Sequence, residues 1–295
     1  MSWLLSLCIP TYNRADVLDQ TLATLLGDPD FDPAKVEVVV SDNCSTDHTR
    51  QVVEKYPGVC YFCNEENVRD ENFSRALLHG RGAYLKLMND TVRLRPGGLA
   101  KILKVIGENL NSEYPLFLIE RGGRPKDVLC RTLGDFISLV SFRTTWIGNF
   151  GVWRRDLETV KDVSNTTSQL LQVVWSYRLA AAGPVRVYTN HYCTVAALPM
   201  GSKGGYNPFK VFVDNYLGLM RGYVECGKLS QEVFKREKRR VFDRYVWQRI
   251  QWLLSGSEEL MNFDVQGAWE IIMRNYGHCA YFHLKMFFAT LGSRK

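Results

Sequence analysis

A carboxylate at the end of an apolar run is the group around which this sequence arranges its chemistry. Asp90 sits between Asn89 and Thr91 in YLKLMNDTVRLRP, residues 84–96, where Tyr84, Leu85 and Leu87 predict a buried strand entered from Gly80 and Gly82. The first residues beyond the carboxyl end of a parallel strand are where open α/β sheets bind ligands. An acid placed there serves a metal or a hydroxyl, because an unpaired carboxylate beside a core is costly. Two more polar loops follow strand-like runs: Pro10, Thr11, Tyr12, Asn13 and Arg14 after the apolar run 4–9, and Ser41 to Asp47 after VEVVV at 36–40. The spacing predicts that loops 10–14, 41–47 and 89–91 meet at one sheet edge. There Asp42 is placed to accept from a base N–H or a ribose hydroxyl, or simply to cap the next helix. Tyr12 is placed to stack on the same base, or to anchor its loop. No GxGxxG follows the first strand and no GxxxxGKS occurs, so dinucleotide dehydrogenase and P-loop chemistry lack their phosphate cradles.

The elements that must hold these loops alternate. A strand at 4–9, ended by Pro10, leads to a helix with Val17, Leu18, Leu22, Leu25 and Leu26 at helical spacing, with Asp16 as its cap and Gly27 as its stop. The small polar residues after VEVVV cap a helix whose apolar face is Val52, Val53 and Tyr56. A third strand, residues 59–63, and a helix through Phe73, Ala76 and Leu77 deliver the chain to Tyr84. Strands alternating with roughly ten-residue helices predict right-handed βαβ crossovers and a mainly parallel sheet. Farther on come a helix at 99–110, a strand at 116–119, a hairpin at 121–126, the segment WIGNFGVW at 146–153, a helix LLQVVWSYRLAAAG and a strand at 185–188.

Composition narrows the class. The chain has 295 residues, 46% hydrophobic and 23% charged, enough for one large or two small domains with a sizeable core. No apolar run approaches the roughly 18–20 residues of a membrane span. MSWLLSLCIPTYN has neither a basic flank nor a small-residue cleavage site, so no signal peptide is expected. Eight scattered cysteines suit reduced thiols, and the cytoplasm is the expected compartment. Cys60 and Cys63 form a CxxC that supplies only two of the four usual zinc ligands. A net charge of +6, with no nucleic-acid motif, argues against nucleic acid as partner.

IPTYNRADVLDQTL, VVVSDNCSTDHT, NEENVRDENFSRAL and GAYLKLMND followed by Pro96 together resemble family 2 glycosyltransferases of the GT-A fold, in the group that decorates bacterial surface polysaccharides, abequosyltransferase-like enzymes included. The resemblance is strong over residues 4–110, weaker to 190 and absent beyond. It implies a Rossmann-like, mainly parallel α/β fold and inverting transfer of a sugar from a nucleotide donor, a UDP-sugar favoured, to a glycan or lipid-linked acceptor. Carried over by position, Pro10, Thr11, Tyr12, Arg14, Asn43, Asn72 and Asn89 lie along the nucleotide, Asp42 meets the base, and Asp90 holds ribose, diphosphate and a divalent Mg²⁺ or Mn²⁺. Thr91 stands where the family commonly has a further aspartate, which weakens or removes the ion. Without it Arg69, Arg93, Arg95 and Lys203 are the cations available to the departing diphosphate. The family's usual base falls near Gln172, which takes no proton. Asp70, Glu71, Asp156, Asp162 and His191 are the remaining candidates, with His191 facing the cleft after its strand.

The resemblance divides the chain into a nucleotide-sugar-binding half at 1–110, an acceptor-binding half at 111–200 and a helical C-terminal extension at 201–295. MGSKGGY at 200–206 reads as a mobile lid carrying Lys203, or as a linker. The helices beyond, VFKREKRRVFDRYVWQRIQWLL and CAYFHLKMFFATLGSRK, are basic and aromatic. Such helices lie on an anionic membrane surface or pack on one another. Two other classes remain: a nucleotide-sugar-binding pseudoenzyme or scaffold, and a sugar-nucleotidyltransferase, whose Gly-rich, Arg-containing loop IPTYNR does not match.

Overall fold

The computed structural model describes residues 3–121, 123–164, 166–190, 193–196 and 205–292, which fall into two compact units, Met1–Pro199 and Met200–Lys295. In the first unit β1 (Leu5–Thr11), β2 (Val36–Asp42), β3 (Val59–Cys63) and β4 (Tyr84–Leu87) run parallel in the order β3-β2-β1-β4. β8 (Gly151–Trp153) adds an antiparallel strand beyond β4. β1, β2 and β4 are buried along their whole length, as near-continuous apolar runs in a covered parallel sheet require. The crossovers are α1 (Ala15–Leu26), α2 (Thr49–Glu54) and α3 (Glu71–His79). Leu18, Leu22 and Leu25 of α1 join Leu5, Leu7, Val38 and Val40 in one core, each such buried side chain contributing roughly 1.5–3 kcal/mol. The chain leaves β1 toward β2, then returns to place β4 on the other side of β1. The strand order therefore reverses between β1 and β4, and their carboxyl ends form a topological switch point.

Two expectations for this half are corrected. Pro10 does not end β1: the strand runs on to Thr11, with Pro10 opposite Ser41 and Thr11 opposite Asp42. The Cys8 carbonyl accepts from Met88 N and the Thr11 carbonyl from Asn43 N, so the backbone of Pro10 faces the β4 side, where pairing has already stopped at Leu87. A residue without an N–H is tolerated there. Asp16 does not cap α1. Asp47 does, accepting from Ala15 N at 3.0 Å while also capping α2 through Thr49 N at 3.0 Å. At the opposite end of the sheet Glu37 is buried and accepts from Ser6 Oγ at 2.5 Å and from Arg81 N and Nε, both at 2.7 Å.

After β5 (Val92–Leu94) and α4 (Gly98–Glu108), β6 (Leu116–Glu120) and β7 (Lys126–Cys130) flank β9 (Val185–Asn190). The hairpin expected at 121–126 is not one: β6 pairs with β9 in parallel and β7 pairs with its other edge antiparallel, so β9 separates them. β10 (Thr194–Ala196) pairs with β5. Between these lie α5 (Leu133–Val140), α6 (Glu158–Lys161) and α7 (Leu171–Ala182). Tyr84 links the sheets by donating to the Leu116 carbonyl at 2.7 Å. Gly151 is required where the Tyr84 ring crosses β8, since a Cβ there would lie 2.5 Å from the Tyr84 hydroxyl.

The second unit is helical: α8 (Tyr216–Glu225), α9 (Gln231–Val241), α10 (Trp247–Ser255), α11 (Ala268–Tyr276) and α12 (Ala280–Gly292). Ser230 caps α9 by accepting from Val233 N. A π turn, Phe242–Val246, joins α9 to α10, and another, Lys210–Asn215, opens α8. Phe242 is the aromatic hub, 5.0 Å from both the Tyr276 and Tyr281 rings. The basic run of α9 is largely spent inside the unit: Arg239 and Lys285 pair with Asp243, Arg240 with Glu237, and Lys238 meets His278. All eight cysteines are free. Among the described residues no helix is long and apolar enough to cross a membrane.

Candidate active site

The switch point gathers three of the expected groups. Asp90, on the turn between β4 and β5, has a side chain only 4% exposed. Thr11 Oγ1 donates to its Oδ2 at 2.9 Å, and Arg14 Nη1 to its Oδ1 at 3.1 Å. Thr21 of α1 donates to the Asp90 carbonyl at 2.8 Å, which ties the turn to the first crossover. Burial pushes the Asp90 carboxyl above its ordinary value, and Arg14 and Thr11 pull it part of the way back. Arg14 is half exposed, so its guanidinium keeps N–H groups facing outward beside the buried acid. Tyr12 projects from the end of β1 with 42% of its surface exposed. The loops at 10–14 and 41–47 are stitched together by Asn13 N donating to Ser45 Oγ at 2.8 Å and Thr46 N to Asn13 Oδ1 at 2.7 Å. Asn13 adopts φ +50°, which aims both its backbone and side chain at that loop.

Other expected contacts turn inward. Asp42 is buried and accepts from Ser45 N at 3.0 Å, Ser45 Oγ at 2.5 Å and the Tyr61 hydroxyl at 2.6 Å. Desolvation and this contact with Asp42 push the Tyr61 hydroxyl well above its ordinary value. Asn43 accepts from Val68 N and donates to Asn67 Oδ1, both at 2.9 Å. Asn72 accepts from Ser41 Oγ at 2.7 Å and Asn64 Nδ2 at 2.9 Å, and donates to the Ser41 carbonyl at 2.9 Å. Asn43 and Asn72 thus lie at the right edge with amides that hold loop 64–72 in place. Asn89 Oδ1 is buried without a hydrogen-bond partner among the described residues.

Of the proposed cations, Arg93 donates to Gln20 Oε1 at 2.5 Å and Arg95 to the Thr194 carbonyl at 3.2 Å, so both are drawn into the fold. Arg69 stays exposed at φ +53°, its carbonyl accepting from Asn43 Nδ2 at 3.3 Å. Lys203 and His191 lie outside the described residues, as does most of 200–206. None of the remaining base candidates comes within hydrogen-bond distance of Thr11, Arg14 or Asp90. Glu71 is held by Arg75 at 2.8 Å. Asp162 is pulled down to about 2 by Ser164 and, less strongly, Arg178, which makes it a poor base. Burial raises Asp156, whose Oδ2 has no hydrogen-bond partner, and raises Asp70 to about 6, near the value a base needs at neutral pH. Gln172 occupies the first turn of α7, buried, and donates from Nε2 to the Thr145 carbonyl at 2.6 Å; that turn contains no acid.

A divalent ion does not fit this donor set. Among the described residues no three His, Cys, Asp or Glu side chains cluster, and both oxygens of Asp90 are already engaged, one of them by a cation. The groups that sequence reasoning missed are Thr21, Tyr61, Lys86 and Glu120. Only Lys86 carried a signal, as a charge inside an otherwise apolar strand.

Residues 6–150 match the family model "Glycosyl transferase family 2". Abequosyltransferase RfbV of Salmonella typhimurium is 28% identical over 150 residues, 49% of this chain and 41% of that protein. Among solved structures, Staphylococcus aureus TarS superposes with a TM-score of 0.58 at 18% identity, covering 81% of this chain and 44% of that one, and TarS 1-349 is also known with UDP and with UDP-GlcNAc. The mannosyltransferase PcManGT of Pyrobaculum calidifontis, in complex with GDP-Man and Mn²⁺, superposes with a TM-score of 0.53 at 18% identity, covering 76% and 65%. The chain thus spans less than half the length of RfbV and TarS. Through residues 6–150 it belongs to glycosyl transferase family 2, on the GT-A fold that its solved neighbours share.

Proposed function

We propose that this chain transfers a sugar from a nucleoside-diphosphate donor, a UDP-sugar favoured, to a hydroxyl of a glycan or lipid-linked saccharide in bacterial surface-polysaccharide synthesis, with inversion. The observation that carries this reading is the Thr11, Arg14 and Asp90 cluster at the switch point between β1 and β4. Tyr12, exposed beside it, offers a face for the base. The outward N–H groups of Arg14 offer a charge-assisted contact to the diphosphate. Asp90 then accepts from a ribose or sugar hydroxyl once Arg14 turns to phosphate. UDP is favoured because TarS, similar in fold, is known with UDP and UDP-GlcNAc. Asp70, with its raised carboxyl, is our candidate proton acceptor among the described residues. Membrane contact in this reading rests on apolar residues: Leu284, Phe287 and Phe288 of α12 are exposed at helical spacing.

A second reading, a nucleotide-sugar-binding protein without transfer, is favoured by one observation, the amide of Gln172 in the acid-free first turn of α7. Calorimetric titration with UDP, GDP, dTDP and CMP, each with Mn²⁺ and with EDTA, tests the site. Selective UDP binding that survives EDTA is expected, since Asp90 is already matched by Arg14. The absence of binding to every nucleotide would overturn the reading. Turnover of UDP-GlcNAc separates the transferase from the binding protein.

A further inference from the structure

Behind the acidic turn lies a charge that nucleotide binding does not use. Lys86 stands in the middle of β4, opposite Leu7 of β1 and Gly151 of β8, and is 5% exposed. An apolar side chain of similar length would fill this place without the several kcal/mol of desolvation that an ammonium requires. Lys86 Nζ donates to the carbonyl of Gly148, its one acceptor among the described residues. Glu120, at the end of β6 and likewise 5% exposed, supplies the compensating charge; its own oxygens are held by Thr194 N at 3.2 Å and Thr194 Oγ1 at 3.1 Å. Lys86, Glu120, Asn89, Trp146 and Gly148 line one internal cavity of about 10 Å³, which places both charges at the back of the turn bearing Asp90.

The segment that Lys86 grips is the 3₁₀ turn Ile147–Asn149, and it is held from three sides. Asn149 Oδ1 accepts from Glu120 N at 2.8 Å, Asn149 Nδ2 donates to the Arg143 carbonyl at 2.9 Å, and Gln172 anchors the preceding Thr145. A Cβ at Gly148 would lie 3.5 Å from Asn89 Oδ1, so this turn abuts the residue preceding Asp90. It enters β8, on the side of β4 away from β1. If the nucleotide lies over β1 and β2, as the proposed function requires, the second substrate reaches Asp90 past this wall.

We propose that Lys86, with Glu120 as its counter-charge, is a positioning residue that fixes the Trp146–Asn149 wall against the Asn89–Asp90 turn and so sets where the acceptor meets the donor. The Lys86→Met, Glu120→Gln and double variants test this. Removing one partner strands the other charge, and either single variant can fail to fold; the double variant removes both and should fold like the wild type. In it, amides 146–150 are expected to exchange hydrogen about tenfold faster or more, while those of β1 and β2 keep their protection. UDP affinity should stay within roughly threefold and UDP-GlcNAc turnover should fall about 10- to 100-fold, the size typical of supporting residues. Wild-type exchange at 146–150 in the folded double variant, or wild-type turnover, overturns the proposal. The exchange measurement stands even if the wild type neither binds UDP nor turns over UDP-GlcNAc, an outcome that would remove the proposed function alone.

Discussion

Asp90→Asn separates what the acid does for the fold from what it does for a ligand. The two hydrogen bonds to its carboxylate would ordinarily be worth about 1.5–3 kcal/mol each. Arg14 is half exposed, which reduces its share to about 1 kcal/mol, and an amide oxygen still accepts from one of the two donors. Against this stands the several kcal/mol needed to bury the charge. Burial raises the Asp90 carboxyl despite Arg14 and Thr11, so desolvation outweighs its partners. A folded-state value above the unfolded one means that stability is greatest at low pH and lost as the carboxyl ionises. Asp90→Asn is therefore expected to be as stable as the wild type at pH 7, or about 1–2 kcal/mol more stable, with the gain vanishing at pH values where the wild-type acid is protonated. Turnover of UDP-GlcNAc should fall by about 10²- to 10³-fold, as when a preorganised charged group is removed. Urea unfolding at pH 7 and at acid pH, beside the turnover assay, measures both. A loss of more than about 3 kcal/mol at pH 7 would make Asp90 a structural ion pair, and undiminished turnover would remove it from the site.

Three further outcomes are expected. Asp70 rises from 3.8 to about 6, so its contribution is full below pH 3.8 and lost as pH climbs through 6. Asp70→Asn should then gain up to about 3 kcal/mol over the wild type above pH 7 and nothing at acid pH; parallel pH curves for the two proteins would refute this. Glu37→Gln exchanges one accepting oxygen for a donor facing Arg81 and should lower stability by about 3 kcal/mol, a melting temperature lower by roughly 6–12 °C, with UDP affinity unchanged. An unaltered melting curve would show that the Glu37 and Arg81 pair contributes nothing. Phe287→Ser with Phe288→Ser should weaken sedimentation with anionic vesicles by roughly 30-fold or more, from about 2 kcal/mol of lost apolar burial; equal binding would place the lipid contact elsewhere or nowhere.

The meeting of the three loops was legible because parallel strands joined by helices put their carboxyl ends at one edge. Thr11, Asn13 and Asp90 follow their strands by one or two residues or end them, so counting suffices. What counting does not give is where a side chain turns. Asp42 faces Ser45 and Tyr61, and the Tyr61 partner lies on another strand. Asp47 looked like the cap of α2 and is also the cap of α1, because helix N-termini that share an edge can share an acid. Pro10 misled because its missing N–H matters only if a neighbour is there to be paired. The supposed hairpin at 121–126 misled because β9, sixty residues on by roughly that count, enters between its arms. In the second unit helical spacing located the helices, but no pattern in the sequence announced the π turns.

Those π turns bear on how the chain can change length. A π turn holds one residue more than an α-helix needs for the same hydrogen-bonded arc, so losing one residue from Phe242–Val246 would close α9 and α10 into one regular helix. Everything downstream would rotate by about 100° about the helix axis. Phe242 and Trp247, whose rings lie 6.1 Å apart across the turn, could not both remain on the aromatic cluster with Tyr276 and Tyr281. A single-residue gap here is thus a larger lesion than a gap of several residues in the irregular stretch 256–267, where turns absorb it. Insertions and deletions in this unit are filtered by phase as well as by length, and substitutions that respect the Phe242 hub are the easier route for the sequence to drift.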